Sequence, residues 1–389
     1  LYFGLSKPCG GKYLTILAFE SASCPRGGPL RIPKSRLGAA ALCLVAIYAY
    51  LAFKIPTSSS ECVVIGHCDG VFYRGVGELL AVGNAEVYEP EMIQRWWQSS
   101  ERTPPLVEQS LQGSPASLPF YLLYGLGSAP VTIALMGLLS LLLLAGSALW
   151  IGGPVFALAC MVGAWTPAAI LFGAPSLFYG AAAFLLLIGL RKEKPWLSGM
   201  ALAFLAFRAE IAICIFIGLM IQKHWRVVGI ATLYSGLLWT VSTLYWGHSL
   251  CTQWLESLWR PGDSVDPGIG LLGMLPGVDS GWIGLWWFVY GIAASFALWS
   301  WFRFSAEKAL AISLGIALLF APQTDPSDIV LLAPVALVFY ARPVEVLWAV
   351  GGLTYVLVGL EVEFLLSVVI FWVMYKALRV VSNDEALES

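Results

Sequence analysis

The chain has 389 residues, is 59% hydrophobic but only 12% charged, and carries a formal net charge of −2. Soluble domains carry about 25% charged residues, so the composition excludes an ordinary soluble protein. With no basic tract, it gives no reason to expect nucleic acid as a partner. The apolar residues fall in blocks near or above the roughly 20 that cross a bilayer as a helix. The predicted fold is an all-α integral membrane protein, a polytopic bundle of about 10–12 transmembrane or re-entrant helices.

The chain opens on Leu1 rather than methionine, which fits a fragment or a misread start. Residues 1–36 mix Gly, Pro, Ser and basic side chains without a period, and no fold is assigned to them. They lack a small-residue cleavage site at the right distance from the first apolar run, so no cleavable signal peptide is expected. Positive charge marks the cytoplasmic flank of membrane helices. Lys7, Lys12, Arg26, Arg31, Lys34 and Arg36 stand against one acid, Glu20, so this segment is predicted inside.

The first span runs from about Leu37 to Phe53. The following segment, 54–118, holds eight acids and four bases and fits an extracytoplasmic loop. Cys62 and Cys68 lie within it. They form a disulfide if the loop faces an oxidising compartment; two free cysteines are the equal alternative. After Asp69, the apolar residues Phe72, Val76, Leu79 and Leu80 recur at helical spacing. With Gly83-Asn84 as the stop, this predicts an interfacial helix of about 13 residues, too short to span. Asp69 sits at its N-cap position, and capping alone accounts for an aspartate there. Arg74 is assigned to lipid headgroups, and Glu86, Glu89 and Glu91 to a solvated acidic rim. Trp96-Trp97 and Trp282, Trp286 and Trp287 read as aromatic-belt anchors.

Residues 119–130 are predicted as a short interfacial helix, followed by three crossings up to 190. Basic residues return at Arg191, Lys192 and Lys194, then at Lys223, His224 and Arg226, at Arg303 and Lys308, at Arg342, and at Lys376 and Arg379. Acidic or polar joints fall between them, and both termini are predicted cytoplasmic, with 380–389 as a tail. The stretch 197–221, "LSGMALAFLAFRAEIAICIFIGLMI", has basic flanks at both ends. It is predicted to dip in and return as two short helices with a turn at "FRAE". Two runs of about 13 residues likewise flank the polar tip "APQTDPSD", 321–328. Polar turns at membrane depth are tolerated only where they line protein or water. An outward-open cavity bounded by the 54–118 loop and these two turns is therefore expected.

Asp69 soon after the first span, Tyr73, the small-residue helix, "AEVYEP" (85–90) and Pro119-Phe120-Tyr121 form one set of motifs. "LSGMALAFLAFRAE" and "APQTDPSDIVLLAPVALV" follow in order. Together they resemble the polyprenol-phosphate-sugar-dependent GT-C glycosyltransferases. The closest likeness is to glycosyltransferase family 87, the alpha-mannosyltransferase group of bacterial inner membranes. The resemblance covers most of 37–379 and implies a GT-C-like membrane domain there, with a structured first extracytoplasmic loop.

It implies a hexosyltransferase of the inner membrane with an extracytoplasmic active site. A polyprenyl-phosphate sugar, mannose by the family's habit, is the donor, and a lipid or glycan hydroxyl is the acceptor. Asp69 becomes the catalytic base. Arg208, at a mid-membrane turn, becomes the donor-phosphate ligand; an intramolecular pair with Glu210 or another acid is the alternative. His67, Tyr73, Glu210, Asp325 and Asp328 are candidate substrate contacts. The late turn departs from the family, which often carries histidines there where this chain has none. No nucleotide-binding signature or metal constellation stands in the sequence, so direct displacement with inversion is expected, without metal or cofactor. Two further readings remain: a transporter or lipid flippase without chemistry, and a non-catalytic subunit of a glycosylation complex.

Overall fold

The punctuation of the sequence sets the helix limits. In the computed structural model the described residues lie in the segments 43–48, 69–95, 111–259, 283–321, 326–359 and 368–379, apart from single positions and short gaps within them. Among them the chain is all-helical, with no strand. The first helix of the loop, α1, runs Asp69–Ala81, the predicted 13 residues. Asp69 lies within its first turn, one position past the cap. The helix ends in a Schellman motif: Gly83 takes φ +80°, its N–H bonds Leu80 O at 3.0 Å, and Asn84 N–H bonds Leu79 O at 3.0 Å.

A 3-10 turn at Pro115–Ser117 leads into α2, Leu118–Gly125, with Pro119 in its first turn. α3, Ala129–Val162, is interrupted at Gly153 (φ +79°) before Pro154. Then come α4, Trp165–Phe172, and α5, Ser176–Arg191. The stretch predicted to dip and return is indeed two short helices, α6, Pro195–Leu205, and α7, Ala209–Ile221. Their turn comes at Ala206–Arg208, slightly earlier than "FRAE", with Glu210 already in the first turn of α7. They are followed by α8, Trp225–Trp246, α9, Leu250–Trp259, and α10, Ile283–Arg303. α11, Ala306–Phe320, precedes a 3-10 turn at Pro326–Leu331. α12, Leu332–Phe339, is shorter than the run of about 13 expected there, because the 3-10 turn takes up its start. α13 begins on its proline, Pro343–Gly359.

Contacts between these helices define two ends of the bundle. α5 is the ruler. At its first residue, Ser176 Oγ donates to Asp328 Oδ1 at 2.8 Å. At its last, Arg191 Nε bonds Glu307 Oε2 at 2.6 Å. The fifteen helical steps between them, at about 1.5 Å each, separate these places by about 22 Å. α6 and α8 start side by side, because Gly199 packs on Val227 and Ile230 without room for a side chain. The turns 191–194 and 222–224 therefore share one end. Gln222 Nε2 donates to Trp301 O and Phe304 O, both at 2.8 Å, and brings in the α10–α11 turn. The Lys192 ammonium lies 4.5 Å from the centre of the Trp150 ring and brings in α3. The basic clusters of the middle of the sequence thus gather at one end.

The opposite end holds α1, α2, the Ala206–Arg208 turn and the Pro326–Leu331 turn. Trp246 Nε1, at the far end of α8 from its basic start, donates to Leu80 O of α1 at 2.9 Å. Gly77 of α1 and Gly125 of α2 touch backbone to backbone, and a Cβ on either would overlap the other helix. α5 and α11 are buried along almost their whole length and form the centre. α8 lies outside and turns Leu233, Leu237, Leu244 and Tyr245 outward. Two helices among the described residues, Val131–Val162 and Trp225–Trp246, are long and apolar enough to cross a membrane.

Candidate functional site

Up to 120 positions separate Arg208, Glu210 and Asp328 in the sequence, and the fold brings them together at the end away from the basic turns. Arg208 is the N-cap residue of α7, in extended backbone conformation, and its carbonyl accepts from Ile211 and Ala212 N–H to open the helix. A cation at a helix N-terminus opposes the helix dipole. Two carboxylates offset this. Arg208 Nε bonds Glu210 Oε1 at 2.7 Å, and Nη1 bonds Asp328 Oδ2 at 2.6 Å. The side chains of Arg208 and Glu210 are 13% and 11% exposed, and that of Asp328 only 1%. Of the two readings for Arg208, the geometry displays the ion pair, with both acids at once.

Asp328 ends the polar tip, in the 3-10 turn that packs on α4 and α5. Ser176 holds its second oxygen. Three residues along α5, on the same helical face, the Tyr179 ring lies 5.8 Å from the guanidinium carbon. The Tyr179 hydroxyl is 3.5 Å from that of Tyr121 on α2. Tyr121 in turn stacks on Tyr73 of α1, with ring centres 4.8 Å apart and planes 5° from parallel. A continuous line of side chains therefore runs from the Arg208 turn to the first loop helix. Asp69 begins that helix one turn before Tyr73. The main chain closes the same circuit: Ser114 N–H and Oγ donate to Phe207 O and Ala206 O at 3.0 and 2.9 Å. Phe120, Phe178, Phe204 and Phe207 pack beside it as an aromatic cluster. Tyr290 of α10 donates to the Glu210 carbonyl.

Of the residues singled out from the sequence, Tyr73, Arg208, Glu210 and Asp328 are thus joined in one assembly. His67 and Asp325 lie outside the described residues, as do the side chain of Asp69, the pair Cys62 and Cys68, and the Trp96, Trp97, Trp282 and Trp286 rings. Glu86 and Glu91 are exposed, as a rim requires, and Glu91 pairs with Arg95 at 3.3 Å. Tyr88 of "AEVYEP" is a loop anchor. It is buried and donates to Gly113 O at 2.8 Å, and burial pushes its phenol well above the ordinary value, so it remains a donor.

Arg74 corrects the sequence reading. It does not reach for headgroups; it is 7% exposed. Nη1 donates to Tyr124 O and Thr132 Oγ1 at 3.0 Å each, Nη2 donates to Gly127 O at 2.8 Å, and Glu78 lies 2.5 Å away. The carbonyls at the end of α2 have no helical donor, and Arg74 supplies one across the α1–α2 contact. The sequence places Arg74 off the apolar face of α1, and Gly125, Gly127 and Pro130 mark where α2 ends, but nothing in it shows that the two would meet. Sequence reasoning also missed Ser176 and Tyr179. Their signal is faint: Ala174-Pro175 before a helix start, then a hydroxyl and a ring three residues apart.

Chemically, the assembly offers a guanidinium and the first-turn N–H groups of α7, an arrangement suited to an anion. Acids already occupy it. No group of three or more His, Cys, Asp or Glu side chains suited to a metal ion lies among the described residues. No protein-family model matches the chain, and no curated protein matches it significantly.

Proposed function

We propose that this chain is an integral-membrane glycosyltransferase. It transfers a hexose, mannose by the sequence resemblance, from a polyprenyl-phosphate donor to an acceptor hydroxyl on the extracytoplasmic side. The observation that carries the reading is convergence. Three segments that the motifs single out independently meet at the end opposite the basic turns: the first-loop helix, the Arg208 turn and the Asp328 turn. The exposed leucines of α8 and the two long apolar helices support a membrane setting. The basic turns at one end support a cytoplasmic face there, and the charge pattern of the sequence puts both termini on that side.

In this reading Asp69 takes the proton of the acceptor hydroxyl as its oxygen attacks the anomeric carbon. The bond from that carbon to the phosphate oxygen breaks, and the lipid phosphate leaves with the electron pair. Charge growing on the phosphate is met by Arg208 and the N-terminus of α7. To admit the phosphate, one carboxylate gives way. Glu210 is suited to this, being more exposed and on the same turn, whereas Asp328 is fixed by Ser176. The test is transfer from a polyprenyl-phosphate hexose in proteoliposomes. Asp69→Asn is expected to keep the melting temperature and lose about 10²–10⁴-fold in rate. Full activity in that variant removes Asp69 from the role of base.

The double pairing of Arg208 favours a second reading, a lipid transporter without chemistry whose ion network opens and closes. Lipid scrambling by the purified protein in liposomes, with no transfer from any lipid-linked donor, selects it.

A further inference from the structure

We propose that the basic end of the bundle is a binding collar for anionic phospholipid headgroups. The geometry comes from three turns. Two of them, 191–194 between α5 and α6 and 222–224 between α7 and α8, are built alike. In each, the second residue past the helix adopts a left-handed conformation: Glu193 at φ +51° and Lys223 at φ +61°. The closing bonds match, with Glu193 N–H on Leu190 O and Lys194 N–H on Gly189 O, and Lys223 N–H on Met220 O and His224 N–H on Leu219 O. Glycine adopts this conformation without strain, and Gly83 does so at the end of α1. The two turns at the basic end bear the strain and keep charged side chains instead.

Each turn then delivers a tryptophan outward. Trp196 is 55% exposed and Trp225 57%, and Trp150 of α3, under the Lys192 ammonium, is 47% exposed. The side chains of Lys192, Lys194, Lys223, Arg226 and Arg303 around them are exposed too. Across 191–194, 222–226 and 301–308 there are seven Lys and Arg against two acids, Glu193 and Glu307. Indole rings favour the headgroup level of a bilayer, and ammonium and guanidinium groups beside them meet phosphate there. A girdle of tryptophans at one level, crowned by excess positive charge, complements an acidic lipid surface. The collar rests on the membrane setting of the proposed function but not on its chemistry.

The experiment puts the full chain into nanodiscs of equimolar phosphatidylcholine and phosphatidylglycerol and releases it into a native mass spectrometer. Phosphatidylglycerol is expected to be retained over phosphatidylcholine by roughly five- to tenfold. K192Q/K194Q and K223Q/R226Q, made separately, each lower the ratio, and combined they bring it close to parity. Arg95→Gln, an exposed arginine outside the collar, leaves it unchanged. All these positions are exposed, and matching melting temperatures exclude misfolding. Equal retention of the two lipids by the unaltered chain, or an unchanged ratio in the combined variant, overturns the collar while leaving the membrane setting intact. Release of the protein from both lipids by alkaline carbonate overturns the membrane setting itself.

Discussion

Arg191 and Arg208 lie at opposite ends of the same bundle and make nearly the same bond. Each places a guanidinium N–H 2.6 Å from a carboxylate oxygen, Glu307 in one case and Asp328 in the other. The surroundings differ. Both partners of the Arg191 pair are 33% exposed, whereas Arg208 is 13% exposed and Asp328 1%. Water screens the first pair and competes for it, so its net worth is small. The second pair has given up most of its hydration and depends on its partners. Identical bond lengths therefore carry different energies, and burial decides which pair the fold cannot lose.

The largest effect that tests this contrast is at the buried pair. Arg208→Ala strands Asp328, and a loss of about 3–5 kcal/mol is expected in chemical unfolding of the detergent-solubilised protein. Replacing all three, as Arg208→Met with Asp328→Leu and Glu210→Gln, leaves no carboxylate stranded and recovers much of that loss. No recovery means that the pair is held by more than its charges. Arg74→Met comes next. It strips donors from the Tyr124 and Gly127 carbonyls, and about 2–3 kcal/mol is expected by the same measurement. Gly77→Ala drives a methyl group into the α2 backbone and costs about 1–3 kcal/mol, since neither helix has a flexible side chain there to move aside. The smallest effect is Glu307→Gln at the exposed pair, less than about 1 kcal/mol and fading with added salt. A loss there as large as at Arg208 breaks the comparison.

Helix limits were legible where a residue acts on its own neighbours. Gly83 stops α1, Pro195 and Pro343 start α6 and α13, and the polar "FRAE" stretch parts α6 from α7. These signals depend on backbone sterics within a few residues. The gathering of the basic residues at one end followed from their spacing between apolar runs. The sequence also marked Arg208 as exceptional, because a cation within a long apolar stretch needs a reason. It did not show which acid answers it. Glu210, two residues away, was visible; Asp328, 120 residues on, was one of two acids on a polar turn.

What the sequence by itself determined was an all-helical chain with its apolar runs, short paired helices and charged joints in order. Those properties follow from periodicity and local propensity. Only the tertiary structure decided that Arg74 turns inward to the end of α2, and that Ser176 and Tyr179 stand with Asp328 around Arg208. Only it ran a line of tyrosines from Tyr73 through Tyr121 and Tyr179 to that arginine. Such choices belong to long-range packing: a buried polar group takes whichever partner the neighbouring helices deliver, and nothing in its own stretch of chain names that partner in advance.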